Sequence, residues 1–239
     1  MDRRAFLSSS IAAGAAAFSR WPTFARAQAA AVDGVPRGLV SQTFQPLSGA
    51  LLSPGTWKPY PKAGDPRWST VPQQVRDALI SRADAANSSP WPEMLATDEL
   101  EFHRNGNRTR FEAISFGRRN RLADLVLAEC IANRGKYLDQ IANGVWLLCE
   151  ESFWGVPAHI GGLADIANPE IELFGAETAA TLGWVAYLLE QQLNDVSSRL
   201  VERIHLEAKH RILDPYFNRN DFGWMGLNGK PHHINNWNP

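Results

Sequence analysis

The sequence has few cysteines, and this excludes a fold built on disulfide bonds. Cys130 and Cys149 are the only two in 239 residues, whereas small disulfide scaffolds carry many more. Both lie in segments that we predict to be helical, which favours buried thiols. A disulfide between them in an oxidising compartment is the alternative.

Long apolar runs are also lacking, so we expect no permanent membrane anchor. The first 30 residues read "MDRRAFLSSSIAAGAAAFSRWPTFARAQAA". Arg3 and Arg4 precede a weakly apolar run, and Ala25-Arg26-Ala27 is a small-x-small cleavage site, the pattern of a twin-arginine export signal. The alternative is a short amphipathic helix. We predict recognition by the twin-arginine export machinery, cleavage after Ala27, and a periplasmic or secreted protein.

The chain has no surplus of positive charge. Its formal net charge is −1, and loss of residues 1–27 would remove four arginines and one aspartate, leaving 20 basic and 24 acidic residues. A nucleic-acid binder would show the opposite balance, so that class is disfavoured. An anionic polysaccharide is still compatible, because a local basic groove can coexist with an acidic exterior.

Strand signals are nearly absent, because no stretch sustains a period-two alternation. Residues 28–70 are rich in Pro, Gly and Ser and predict an irregular lead-in. From residue 71 onwards, apolar residues recur at helical spacing, and the sequence predicts a helical domain over 71–239. One predicted stripe has Val75, Leu79 and Ile80, and a longer one has Phe111, Ile114, Leu122, Leu125, Val126 and Cys130. Asn105-Gly106-Asn107 predicts a break before the longer helix, and Gly135 a stop after it. The helices of this all-α domain would pair as antiparallel hairpins in a bundle, a solenoid or an α/α toroid. No fixed-period repeat is visible.

Tryptophan is abundant by contrast, with nine residues. Several lie beside Gly, Pro or Asn and are therefore expected in loops. A single loop tryptophan is usually a packing anchor, but the set favours a groove that stacks on flat ligand faces.

The first candidate site is the loop "CEESFWGVPAH", which follows a predicted helix. Glu150 and Glu151 lie at the C-terminal end of that helix, where its dipole disfavours negative charge. They need partners, such as an arginine from the long preceding helix or a ligand hydroxyl. With Trp154 and His159 they could bind a sugar. The alternative is a purely structural loop with Glu151 in a salt bridge and Trp154 packed as a lid.

The second candidate site is the cluster "HHINNWNP" at residues 232–239. Its neutral amides could hold a carboxylate while the indole of Trp237 stacks on a ring. Hydrogen bonds of this kind stabilise the enolate-like transition state of a β-elimination. The alternative is an Asn-rich turn. His232 and His233 have no carboxylate or thiolate nearby, so we predict no metal site and no cofactor.

Four motifs together resemble heparinase II/III-like proteins, a family of polysaccharide lyases. They are "GNRTRFEAISFGRRNRLADLVLAEC", "GVWLLCEESFWGVPAH", "LFGAETAATLGWVAYLL" and "INNWNP". The resemblance extends from about Arg67 to the last residue. It implies an incomplete α/α toroid, and an enzyme that cleaves a uronate-containing, anionic polysaccharide by β-elimination.

The resemblance also implies roles for individual residues. Asn236 would neutralise the substrate carboxylate, with Asn235 beside it, and Trp237 replaces the His that commonly follows in relatives. The family uses Tyr and His as base and acid, and Tyr216 and His159 are the nearby candidates here. Glu150, Glu151 and Trp154 would complete the substrate-binding groove.

The resemblance further implies that the chain covers only part of the family's architecture. The catalytic Tyr of relatives and their β-sandwich would lie beyond Pro239.

Two other functions are compatible with the residues alone. One is a non-catalytic carbohydrate-binding protein of the cell envelope. The other is a glycoside hydrolase, for which the adjacent carboxylates of Glu150 and Glu151 form a poor catalytic pair.

Overall fold

The computed structural model describes residues 52–53, 55–219 and 221–225. The predicted export signal, the cleavage site, most of the lead-in and the cluster at 232–239 lie outside these residues. The described part is helical and contains no strand, which confirms the all-α class. None of the described helices combines the length and the hydrophobicity of a membrane-spanning segment.

Seven α-helices make up the described part of the fold. They are α1 (Gln73–Asn87), α2 (Ala96–Asn105), α3 (Thr109–Ala132), α4 (Leu138–Glu150), α5 (Leu173–Val196), α6 (Ser198–Ala208) and α7 (Asp214–Asn218). A π-helical turn, Lys209–Leu213, joins α6 to α7. Short 3-10 helices at Pro66–Thr70, Pro157–His159 and Gly223–Met225 complete the described elements.

The core forms where α3, α4, α5 and α6 meet. Helix α3 packs against α1, α4 and α5, and α6 packs against α4 and α5. The predicted apolar stripe of α3 is buried at Phe111, Leu122, Leu125, Val126 and Cys130. Burying each such side chain contributes about 1.5–3 kcal/mol, so packing dominates the stability of these helices.

The apolar stripe predicted for α1 is only partly right. Val75 was expected on the buried face with Leu79 and Ile80, but this residue is 47% exposed, and Ala83 is instead the buried residue of this helix. Helix α1 therefore packs mainly through its second half. Periodicity gives the face of a helix but not the turn at which a neighbour covers it.

Helices α2 and α3 each end at a residue with a left-handed backbone conformation. Gly106 adopts a left-handed conformation after α2, as the Asn-Gly-Asn signal suggests. Helix α3 ends at Asn133, which is also left-handed with φ 46°, two residues before the Gly135 that the sequence favoured as a stop. Asparagine tolerates this region better than other residues with a Cβ.

Both cysteines are buried free thiols, in agreement with the favoured interpretation. Burial raises the pKa of each of Cys130 and Cys149 to about 12. Burial thus disfavours the thiolate form that a nucleophilic cysteine requires.

Gly144 on α4 is a close-contact position, and we expect Gly144→Ala to destabilise the fold by about 1–3 kcal/mol. A Cβ there would lie 2.6 Å from the ring of Trp91 and 3.2 Å from Leu122. Gly117 on α3 is the matched control, because nothing lies within 4 Å of its added Cβ. Gly117→Ala should stabilise the helix slightly. Urea unfolding measures both; equal effects in the two variants would contradict this packing.

Candidate functional site

A cleft of about 710 Å³ lies at the C-terminal end of α4. Three segments line it: the end of α4 with the loop that follows, the loop at 159–170, and α6 with the π-helical turn. The cleft therefore collects residues that are far apart in the sequence. It includes four of the predicted site residues, Glu150, Glu151, Trp154 and His159.

Glu151 is not available to a ligand. Its side chain is 1% exposed, and its two oxygens accept hydrogen bonds from two arginines of α3, Arg118 at 3.1 Å and Arg119 at 2.9 Å. For Glu151, the partner that was expected at this helix end is present, and it is the arginine option from the long preceding helix. The expected contact between Glu151 and a substrate hydroxyl is corrected, because the ion pair uses both oxygens of the carboxylate.

The ring of Trp154 is packed inside the protein. Only 2% of the residue is exposed, the indole N–H donates to the carbonyl of Leu148 at 2.6 Å, and the Arg211 guanidinium lies 4.8 Å from the ring centre. A sugar cannot reach either face of this indole. The predicted stacking role is therefore corrected, and Trp154 fills the lid position that was the structural alternative.

The C-terminal end of α4 is stabilised by two arginines from the opposite wall. Arg203 and Arg211 each donate to the Cys149 carbonyl, at 3.1 and 3.0 Å, and Arg211 also donates to the Glu151 carbonyl. These cations satisfy the carbonyls that a helix end leaves unpaired and lie at the negative end of its dipole. The cleft wall is thus built on the end of α4.

Glu207 fixes the two arginines in place. Its oxygens bond Arg203 and Arg211, each at 2.6 Å, along one face that continues from α6 into the π-helical turn. Burial acts to raise the pKa of Glu207, but the bonds from the two arginines outweigh it and the pKa is lowered. Arg211 commits all three donor nitrogens to protein acceptors. These bonds hold its guanidinium against the end of α4 and beside Glu207.

His159 is the residue of the cleft best arranged for proton transfer. It ends the 3-10 turn Pro157–His159, and its side chain is 41% exposed. Its Nδ1 lies 2.6 Å from an oxygen of Glu172, and its ring stacks on Phe174. Because a carboxylate only accepts, Nδ1 carries the proton, and Nε2 of the neutral ring is the basic nitrogen.

Glu172, which orients His159, is buried at the start of α5. Its second oxygen accepts from the Gly175 backbone N–H at 2.9 Å, so it also caps the helix. The positive end of the helix dipole favours a carboxylate here. Gly155 is required beside it, because an added Cβ would lie 2.6 Å from a Glu172 oxygen.

A second buried carboxylate holds the loop on the other side of the cleft. Glu99 of α2 accepts from the Ala164 backbone N–H at 2.8 Å. Burial raises the pKa of Glu99. The contact ties α2 to the loop at 159–170, which carries the exposed apolar side chains of Leu163 and Ile166 at the cleft.

The remaining predicted site residues divide into three groups. Glu150 was also expected to need a partner, but its carboxylate bonds no other described residue; it is exposed in the cleft and can still meet a ligand. Tyr216 does not line the cleft and stacks on Trp224 instead. Asn235, Asn236 and Trp237 lie outside the described residues.

The sequence did not reveal Glu172 as the partner of His159. It also did not reveal that Arg203 of α6 and Arg211 of the π-helical turn line the cleft. Glu172 carried a weak signal, a carboxylate at the start of a predicted helix. In the part of the chain that the structure describes, no three His, Cys, Asp or Glu side chains converge to hold a metal ion. No protein-family model and no curated protein matches the chain.

Proposed function

We propose that the protein is an exported polysaccharide lyase of the heparinase II/III type, which cleaves a uronate polymer by β-elimination in the cleft at the end of α4. The helices would then form part of an incomplete α/α toroid. The observation that carries the proposal is the carboxylate-held imidazole of His159 at an open cleft of about 710 Å³. Three of the four motifs that resemble the family lie on α3, on α4 with the loop that follows it, and on α5, whereas the fourth, INNWNP, lies outside the described residues.

In this proposal the chemistry divides between an imidazole and an amide. Nε2 of His159 accepts the proton α to the uronate carboxylate, and that electron pair forms the new double bond as the glycosidic oxygen leaves. The leaving oxygen takes a proton from the imidazolium or from water. Glu172 keeps the proton on Nδ1 and stabilises the cation that forms.

Recognition of the substrate carboxylate falls to neutral groups. The described cleft offers exposed carboxylates such as Glu150, while the Arg211 guanidinium already bonds Glu207 and the carbonyls of Cys149 and Glu151. Asn236 would hold the uronate carboxylate with Asn235 beside it, and Trp237 would stack on a sugar ring. Amide donors aimed at the developing negative charge lower the barrier to proton removal.

The test mixes the intact protein with uronate polymers such as alginate or a glycosaminoglycan. Elimination creates an unsaturated uronate with a new ultraviolet absorbance. We expect Asn236→Ala to remove most of this signal, with Asn236→Asp as a variant of the same size that adds a repelling charge. Unchanged turnover in Asn236→Ala would reject the role of Asn236.

A second candidate is a carbohydrate-binding envelope protein without catalysis. Two observations favour it: no tyrosine lines the cleft among the residues that the structure describes, and Trp237 stands where relatives commonly carry His. Binding of a polysaccharide without any shortening of its chains would support this candidate over the lyase. The hydrolase is disfavoured further, because the Glu151 carboxylate is held by two arginines.

A further inference from the structure

An exposed cluster of four aromatic rings lies on α5, away from the cleft. Trp57 and Tyr60 come from the segment before α1, and Trp184 and Tyr187 from α5. The ring centres of Trp57 and Trp184 are 6.1 Å apart, and those of Tyr60 and Trp184 are 5.2 Å apart. Trp57 is 59% exposed, Tyr60 57% and Trp184 37%. So much aromatic surface in water favours a binding role.

The cluster is held rigidly by bonds between the two segments. At a kink in α5, where Leu189 leaves the helical region, the Leu188 carbonyl accepts from the Ala63 backbone N–H at 2.9 Å. The Tyr187 hydroxyl donates to the Tyr60 carbonyl at 2.9 Å. The rings are therefore pre-positioned, and a ligand would lose little affinity to their ordering.

The chemistry of the cluster suits a sugar. The indole N–H groups of Trp57 and Trp184 donate to no acceptor among the described residues, and they border exposed ring faces. The adjoining Lys62 is neutralised by Glu190 at 2.7 Å. Flat faces with free donors and balanced charge match a pyranose, which has apolar faces and hydroxyl edges.

One face of α5 connects the cluster with the cleft. Phe174, which stacks on His159, is followed at helical spacing by Glu177, Thr181 and Trp184, so the four residues share a stripe. A groove of about 390 Å³ between α3 and α5 is lined by the first three of them. At 1.5 Å per residue, Trp184 lies about 15 Å along the helix from Phe174.

We propose that this aromatic cluster is a distal saccharide-binding surface, on which a polysaccharide chain stacks while another part of it occupies the cleft beside His159. The chain would follow the α3–α5 groove. The ligand class rests on the proposed function, whereas the location rests on the cluster and groove alone. The surface would favour long chains over short ones, because only long chains reach both places.

The experiment compares the affinities of the intact protein for a uronate disaccharide and an octasaccharide by calorimetry. Trp57→Ala and Trp184→Ala should each weaken octasaccharide binding roughly fivefold, with a larger loss in the double variant. Disaccharide binding should be unchanged. Trp184→Phe, which keeps a ring, should retain most of the affinity. Phe217→Ala on α7 is the control, because Phe217 is an aromatic residue outside the cluster that is 66% exposed.

The outcomes separate this proposal from the proposed function. If the wild-type protein binds the octasaccharide and the double variant binds it equally well, the distal surface is rejected while the cleft proposal stands. If the wild-type protein binds neither saccharide, both are rejected. Thermal melting of each variant checks folding, which exposed substitutions of this kind leave nearly unchanged.

Discussion

Replacing Glu151 by alanine is expected to lower the free energy of unfolding by about 3–5 kcal/mol. The carboxylate is shared by two guanidinium groups whose side chains are nearly as buried as its own, 6% exposed for Arg118 and 11% for Arg119. Its loss would leave two buried cations without their counter-ion. Removing one partner of such a group costs more than the group itself contributes to stability.

The neighbouring residue supplies the matched control for this prediction. Glu150 is exposed, so Glu150→Ala should change the free energy of unfolding by less than about 0.5 kcal/mol. Glu151→Gln, which keeps the shape and one acceptor, should fall between the two. Urea unfolding with a constant m-value is the measurement. A Glu151→Ala variant as stable as Glu150→Ala would show that the arginines do not depend on this carboxylate.

Replacing His159 by alanine is expected to slow elimination by about 10²–10⁴-fold, the usual contribution of a general acid or base. Because the imidazole is 41% exposed and Glu172 still caps α5 without it, the fold should be retained. Glu172→Gln should reduce the rate less and shift the pH profile, since an amide cannot stabilise the imidazolium as a carboxylate does.

The control for the His159 prediction is another exposed histidine. His205 lies on α6 and does not line the cleft, so His205→Ala should retain the wild-type rate. Initial rates on one uronate polymer, compared with melting temperatures, separate a loss of chemistry from a loss of fold. Equal rates for the two histidine variants would exclude His159 from the reaction.

The helices could be predicted because their signals are local. The stripe of α3 runs from Phe111 to Cys130 at helical spacing, and the structure has that helix over Thr109–Ala132. The position of Glu151 at the C-terminal end of a helix is also a local signal, so its need for a partner could be predicted. The sequence indicates an arginine of α3 as the partner but not which one, since several arginines lie on that helix.

The site was harder to predict because its contacts join distant segments. Arg211 and Cys149, whose carbonyl it bonds, are 62 residues apart in the sequence, and no local sequence pattern predicts such a pair. Trp154 looked like a loop residue open to a ligand, but the same arginine covers its ring. The aromatic cluster escaped notice for the same reason, because Trp57 and Trp184 meet only through the fold.

The most direct test of a lyase in the α4 cleft is the ultraviolet absorbance of the intact protein with a uronate polymer. The account predicts that absorbance rises as chains shorten, that His159→Ala slows the rise at least a hundredfold, and that His205→Ala does not. Polymer shortening that releases reducing ends without any new absorbance would contradict it, as would binding with no change in chain length.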